Sequence, residues 1–111
     1  MFKYETHLHT SESSPCGKSG GAEHVRFFAQ KGYTGIFVTD HFFPKSNPQP
    51  SEIPWEERIR HFMDGYRSAK AEGDRLGLDV FFAWEYSGSG HFMTNGLDET
   101  WRLAHPDMME W

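Results

Sequence analysis

The run Thr34-Gly35-Ile36-Phe37-Val38-Thr39 is apolar and β-branched with almost no polar interruption. A strand of that kind is covered on both faces, which is the situation of a strand in a parallel sheet. Parallel neighbours are joined by crossovers, so the flanking segments should be helical. They read that way. Before the run, Gly20-Gly21-Ala22-Glu23 opens a segment with Val25, Phe28 and Ala29 on one helical face. It closes at Lys31-Gly32, where lysine suits the negative helix end and glycine a left-handed cap. After the run, Trp55 to Leu76 carries Ile59, Phe62, Met63, Tyr66 and Ala69 at helical spacing, the pattern of one amphipathic helix stopped by Gly77.

Two further strands flank this unit. Phe2 to His9 alternates apolar and polar residues and then enters a cluster of turn formers, Thr10 to Gly17. Asp79 to Trp84 reads as a third strand, followed by the turn Ser87-Gly88-Ser89-Gly90 and a short fourth strand, His91 to Thr94. Asp40 to Pro54 has no periodicity and contains Pro44, Pro48, Pro50 and Pro54, so it is read as one long loop, a class that is more often functional than not. The tail from Leu97 holds Trp101, Leu103, Met108, Met109 and Trp111 without a clear period. The order strand, helix, strand, helix, strand predicts an α/β fold with a parallel sheet and right-handed crossovers. With 111 residues, no repeats and no linker, residues 1–111 are read as one domain. Ligand sites in such sheets gather at the carboxyl ends of the strands.

Composition narrows the function classes. No apolar run reaches the roughly 18–20 residues a membrane-spanning helix requires, and no secretory signal precedes the first strand, so the sequence predicts a cytoplasmic protein with no membrane partner. The single cysteine, Cys16, makes no internal disulfide and is a packed apolar residue, a ligand or a redox liability. A net charge of −5 disfavours nucleic-acid binding through a basic face. It leaves metal-dependent chemistry on phosphates open, because bound cations reverse the local sign of the potential.

The seven histidines are the informative part of the composition. His7 and His9 end the first strand one residue apart, a spacing that points both imidazoles to one face, where they could share one metal or hold two adjacent ones. The second strand ends in Asp40-His41 and the third in Glu85. Three strands therefore deliver imidazole, imidazole and carboxylate to one rim, which predicts metal binding. His91 opens the fourth strand near Glu85 and joins the candidate ligands. His24 and His61 lie on helices, where imidazole commonly makes surface or capping contacts, and no strand leads up to His105; these three are set apart from the rim.

The assembled motifs resemble the PHP family, the polymerase and histidinol phosphatase superfamily of metal-dependent phosphoesterases. Thr6-His7-Leu8-His9-Thr10 resembles its first motif, Val38-Thr39-Asp40-His41 its second, and Ala83-Trp84-Glu85 the strand whose glutamate bridges two metals. Residues His91 to Asp98 resemble the next strand of the phosphatase-like branch, and Ala83 stands where many members have glycine. The resemblance implies a distorted seven-stranded (β/α) barrel holding two or three Zn, Mn or Fe ions. His7 and His9 would bind the first metal and His41 the second, with Glu85 bridging, so that Glu85 and His41 carry the catalytic centre. Asp40 would orient a ligand or shape the loop, and Cys16 falls near a family ligand position in the loop after the first strand. Lys18 and Lys45, in two rim loops, are candidates to clamp a phosphate.

The family's later His-Pro and Asp-x-His ligands have no counterpart here, since His105-Pro106 follows Gly96-Leu97-Asp98 too closely. The chain therefore resembles the N-terminal half of a PHP domain, the first three or four barrel strands. The implied function is hydrolysis of a small phosphomonoester, impaired by truncation unless another copy of the chain or a missing C-terminal half completes the barrel. The alternatives are a non-catalytic fragment that binds metal or a partner, and a PHP 3′–5′ exonuclease, against which the acidic balance counts. An amidohydrolase, which also begins with His-x-His on a barrel strand, is more distant.

Overall fold

A computed structural model describes residues 1–46, 53–88 and 90–107. Pro48, Pro50, Ser89, Met108, Met109 and Trp111 of the sequence reading lie outside the described residues. The chain is mixed α/β, in the order β1 (Tyr4–Leu8), α1 (Gly21–Gln30), β2 (Gly35–Val38), β3 (His41–Phe42), α2 (Trp55–Phe62), α3 (Asp64–Leu76), β4 (Asp79–Ser87), β5 (His91–Asn95) and α4 (Glu99–Ala104). None of its described helices is long and apolar enough to cross a membrane.

The sheet is parallel where the sequence pattern predicts it. β1 pairs with β2, and β2 with β4 from Gly35 opposite Asp79 to Val38 opposite Phe82. The short strand β3, inside the segment read as loop, continues that line at the same offset, with His41 opposite Glu85. The interruption at Thr39 and Asp40 comes from side-chain and backbone bonds that turn these two residues toward β1. The Thr39 hydroxyl accepts from Leu8 N–H and donates to Leu8 C=O, and the Asp40 carboxylate reaches Thr10. β5 departs from the parallel pattern. It returns along β4 antiparallel, with Ser87 opposite His91, because a few turn residues suffice for a hairpin and leave no room for a crossover.

Helices cover one sheet face. Val80, Phe82, Trp84 and Tyr86 alternate along β4 into two apolar clusters. One gathers Leu8, Val25, Ile36, Val38, Ala69 and Leu78, and the other Phe42, Trp55, Ile59, Phe62 and Met63. With a period of two, the intervening Phe81 and Glu85 belong to the opposite face, and Phe81 is exposed there.

The predicted single helix from Trp55 to Leu76 is divided at Met63. Its cause is a side chain inserted into the ladder. Ser13 Oγ donates to His61 C=O at 3.0 Å and accepts from Gly65 N–H at 2.9 Å, in place of the direct bond between them. The helix still ends where the sequence places its stop, at Gly77, whose φ of 75° is left-handed. The tail without a clear period forms α4, capped by Asp98, whose carboxylate accepts from Trp101 N–H at 2.9 Å.

Candidate metal centre

The histidines reach one rim by local devices. Along β1 the pairing advances from Glu5 opposite Ile36 to Leu8 opposite Val38, so one extra residue is accommodated there as a bulge. A bulge re-aims side chains, and the freed His7 N–H donates to Glu5 Oε1 at 3.0 Å. Leu8 is clamped by Thr39 on one side of His9. On the other, Thr10 N–H donates to Asp40 Oδ1 at 2.6 Å and Thr10 Oγ1 to Asp40 Oδ2 at 2.8 Å. Buried Asp40 also accepts from Ser14 Oγ at 2.6 Å, and the same hydroxyl accepts from His41 N–H at 3.0 Å. Its carbonyl accepts from Glu85 N–H at 3.0 Å. Asp40 thus ties the loop after β1 to the backbone of His41 and Glu85, and its carboxylate bonds to Thr10 and Ser14. Burial, the largest influence, raises its pKa above the usual carboxylate value, outweighing the hydrogen bonds from Ser14 and Thr10 that lower it.

Glu85 is the centre of the cluster. Its Oε2 lies 3.0 Å from His7 Nε2 and 2.9 Å from His9 Nε2, and these two nitrogens are 3.2 Å apart. His41 Nδ1 lies 3.7 Å from Oε2, and His91 Nδ1 3.4 Å from Oε1. Side-chain exposure is 13% for Glu85 and 19% for His9 and His41, against 52% for His7 and 64% for His91, so the bridge is sheltered and two imidazoles stand at its mouth. Burial pushes the Glu85 carboxyl up, but the hydrogen bonds from His7 and His9 and the charges of His41 and His9 outweigh it and hold it low. Burial, then neighbouring His9, lower the pKa of His41, which favours the neutral, ligating imidazole.

Three groups of donor atoms lie within 4.8 Å of one another: His7, His9 and Glu85; His41, Glu85 and His91; and His9, Cys16 and His41. The donor set fits a divalent metal. Imidazole, carboxylate and thiolate are the ligands of zinc-like ions, and donors on one tetrahedral zinc are about 3.3 Å apart, given bonds of about 2.0–2.1 Å.

The other predicted residues fall as follows. Cys16 is exposed, not packed, with Sγ 3.1 Å from His9 Nδ1. Lys18 joins His7, His9, Cys16, Ser19 and His24 around an open hollow of about 360 Å³ beside the cluster. Lys45 does not line that hollow; its backbone N–H donates to Pro106 C=O at 2.9 Å, against the C-terminal segment. His61 pairs with Glu57 and Asp64 on the helix surface, and His105 stacks on Trp101 with ring centres 4.1 Å apart.

Two residues that the sequence pattern does not assign to the rim complete the surroundings. Ser87 Oγ lies 2.6 Å from His41 Nδ1, and His24 Nε2 donates to His9 C=O at 3.1 Å. Ser87 stands two residues after Glu85 on the same strand, a period that would have placed it on the rim. The chain matches no protein-family model, and no curated protein matches its sequence.

Proposed function

We propose that the protein is a metal-dependent phosphoesterase of the PHP type, its β1, β2 and β4 being the first strands of a distorted (β/α) barrel, acting on a small phosphomonoester. The observation that carries this reading is the triangle of Glu85 Oε2, His7 Nε2 and His9 Nε2, with sides of 3.0, 2.9 and 3.2 Å. With Glu85 ionised, both nitrogens would have to donate to one oxygen, which leaves the nitrogens in contact with no proton between them. A cation among the three meets every side.

His7, His9 and Glu85 Oε2 would hold one ion, and Glu85 Oε1, His91 and His41 a second. The chemistry that divalent cations supply in such a place is neutralisation of phosphoryl charge and ionisation of a water. The chain's part is to hold the ligands in register. Glu85 would bridge, the Ser87 hydroxyl, 2.6 Å from His41 Nδ1, would fix that ring, and Lys18, on the wall of the hollow, would offer its ammonium to a phosphate oxygen.

Hydrolysis of p-nitrophenyl phosphate with added Mn²⁺ or Zn²⁺, together with equilibrium dialysis of the metal, tests the reading. Turnover that needs metal and is lost in His9→Ala and Glu85→Ala supports it. Stoichiometric metal without turnover leaves a non-catalytic metal-binding chain, and no metal at all rejects the centre.

A further inference from the structure

Among the described residues, β1 pairs with β2 alone and is an edge strand. Its peptide groups alternate between two sides. Lys3 C=O accepts from Gly35 N–H at 3.3 Å, toward β2, so the N–H and C=O of Tyr4 point to the open side. The edge is aromatic where it is exposed. Phe2 is 82% and Tyr4 42% exposed, and the Tyr4 ring is the outermost of a row that runs through Phe81, 6.2 Å away, to Phe37, a further 4.7 Å.

An open edge is a template for another strand, and the charges on β1 decide which. Exposed Lys3 and half-buried Glu5 flank Tyr4. Two copies of β1 related by a two-fold axis run antiparallel. With the axis at Tyr4, that residue meets the partner's Tyr4, and each Lys3 meets the partner's Glu5. An axis at Lys3 or at Glu5 sets like charges directly opposite each other, which is destabilising. The axis at Tyr4 is also the register that the backbone prefers. The outward peptide groups of the two tyrosines exchange both hydrogen bonds, and Lys3 and Glu5 fall in the intervening pairs, where opposed side chains are closest. Glu5 Oε1 accepts from His7 N–H, which leaves Oε2 for the partner's Lys3. The other edge, β5 (His91–Asn95), has no Lys, Arg, Asp or Glu to set a register.

We propose that β1 is a self-recognition edge, which a second copy of this chain joins antiparallel with Tyr4 opposite the partner's Tyr4 and Lys3 opposite the partner's Glu5. Phe2 would then fall opposite the partner's Thr6, and the two aromatic rows would become one. The surface is small, so the dimer is a weak one. No candidate metal ligand takes part and the two histidine rims point in opposite directions, so this inference stands apart from the metal-centre reading.

Sedimentation equilibrium of the whole chain over about 10–500 μM, with Cys16 kept reduced, and amide exchange by nuclear magnetic resonance at both ends of that range test the proposal. The expected result is a monomer–dimer equilibrium in which Tyr4 N–H exchanges more slowly as the dimer forms. Lys3→Glu, at an exposed position, weakens association about tenfold or more, because two attractive pairs become repulsive. Glu5→Lys does the same, and the double variant restores association. Mixing the two single variants gives a heterodimer, since every acidic side chain then faces a basic one. If Glu5→Lys fails to fold, Lys3→Glu and the exchange of Tyr4 decide alone. A chain that stays monomeric throughout overturns the proposal. So does a dimer indifferent to Lys3→Glu, which associates through another surface, and so does Tyr4 protection that is independent of concentration, which gives the edge to another part of the same chain.

Discussion

Gly65 donates its backbone N–H to Ser13 Oγ at 2.9 Å, and through that hydroxyl a loop from the strand ends is built into a helix ladder. The same glycine brings the helix close to the loop at a second place. A Cβ at Gly65 would collide with Thr10 Oγ1 and lie 2.8 Å from Asp40 Oδ2. Thr10 and Asp40 are the residues that fix His9 and His41, so the division between α2 and α3 is coupled to the geometry of the candidate metal centre.

Gly65→Ala should therefore destabilise the fold by about 1–3 kcal/mol, the usual cost of forcing extra volume into packed structure. Ser13→Ala should cost about 1 kcal/mol or less, because Gly65 N–H regains His61 C=O as its partner. Urea unfolding of the two variants checks the ranking. Equal midpoints for Gly65→Ala and wild type would show that the close approach is not a constraint.

Ser87→Ala removes the hydroxyl 2.6 Å from His41 Nδ1 while leaving every proposed ligand in place. Loss of a group that orients a metal-binding imidazole typically weakens metal affinity about 10–100-fold. Isothermal titration with Zn²⁺ should show this for Ser87→Ala and a smaller loss for Ser87→Thr, which keeps the hydroxyl. An affinity equal to wild type in the alanine variant would remove Ser87 from the centre's support.

The candidate ligands were legible as a cluster because strand periodicity and chain order bring His7, His9, His41 and Glu85 to strand ends, and a two-residue period decides the face each shares. The supports were not, since Thr10, Ser13, Ser14 and Ser87 are small hydroxyl residues whose partners lie far along the chain. Composition marks the first three only as turn formers. β3 escaped notice because two residues carry no period, and the direction of β5 because a short apolar run fits either orientation. Lys45 shows the limit of loop membership as evidence. It belongs to a rim loop in sequence, yet its backbone bonds to the tail.

Asp40 gives a pH dependence with a defined sign. Its native pKa is raised, so the unfolded chain loses the proton first as pH increases. Stability from this group is complete below about pH 3.8, falls as pH rises through the native pKa, and is level above it. The asparagine side chain of Asp40→Asn does not titrate, while its amide can still accept from Thr10 N–H and Ser14 and donate to Thr10 Oγ1. Relative to Asp40→Asn, wild type should thus gain stability as the pH is lowered from neutrality toward 4. Parallel urea titrations at several pH values measure the difference, and a difference that stays flat or runs the other way rejects the assignment.

Arg102 on α4 is fully buried, and its Nε and both terminal nitrogens have no hydrogen-bond partner among the described residues. Its guanidinium lies 3.0 Å from the ring centre of Phe42 and 4.6 Å from that of Trp84, with Trp55 and Trp101 beyond. Cation–π attraction of up to about 2 kcal/mol offsets only part of the cost of burying an unpaired charge. Burial lowers its pKa from the usual guanidinium range to about 9. Arg102→Met, similar in length and apolar, should therefore raise stability at pH 7 by on the order of 1 kcal/mol or more. Below pH 9 both native and unfolded wild type hold the proton and the penalty is complete. Above it the native state sheds the proton while the unfolded chain retains it, so wild type gains on the variant as pH rises. Urea midpoints of the two proteins at pH 7 and at pH 10 should converge; a gap of constant size would mean that Arg102 keeps its charge throughout, and a variant less stable at pH 7 would make the aromatic cage worth more than the burial costs.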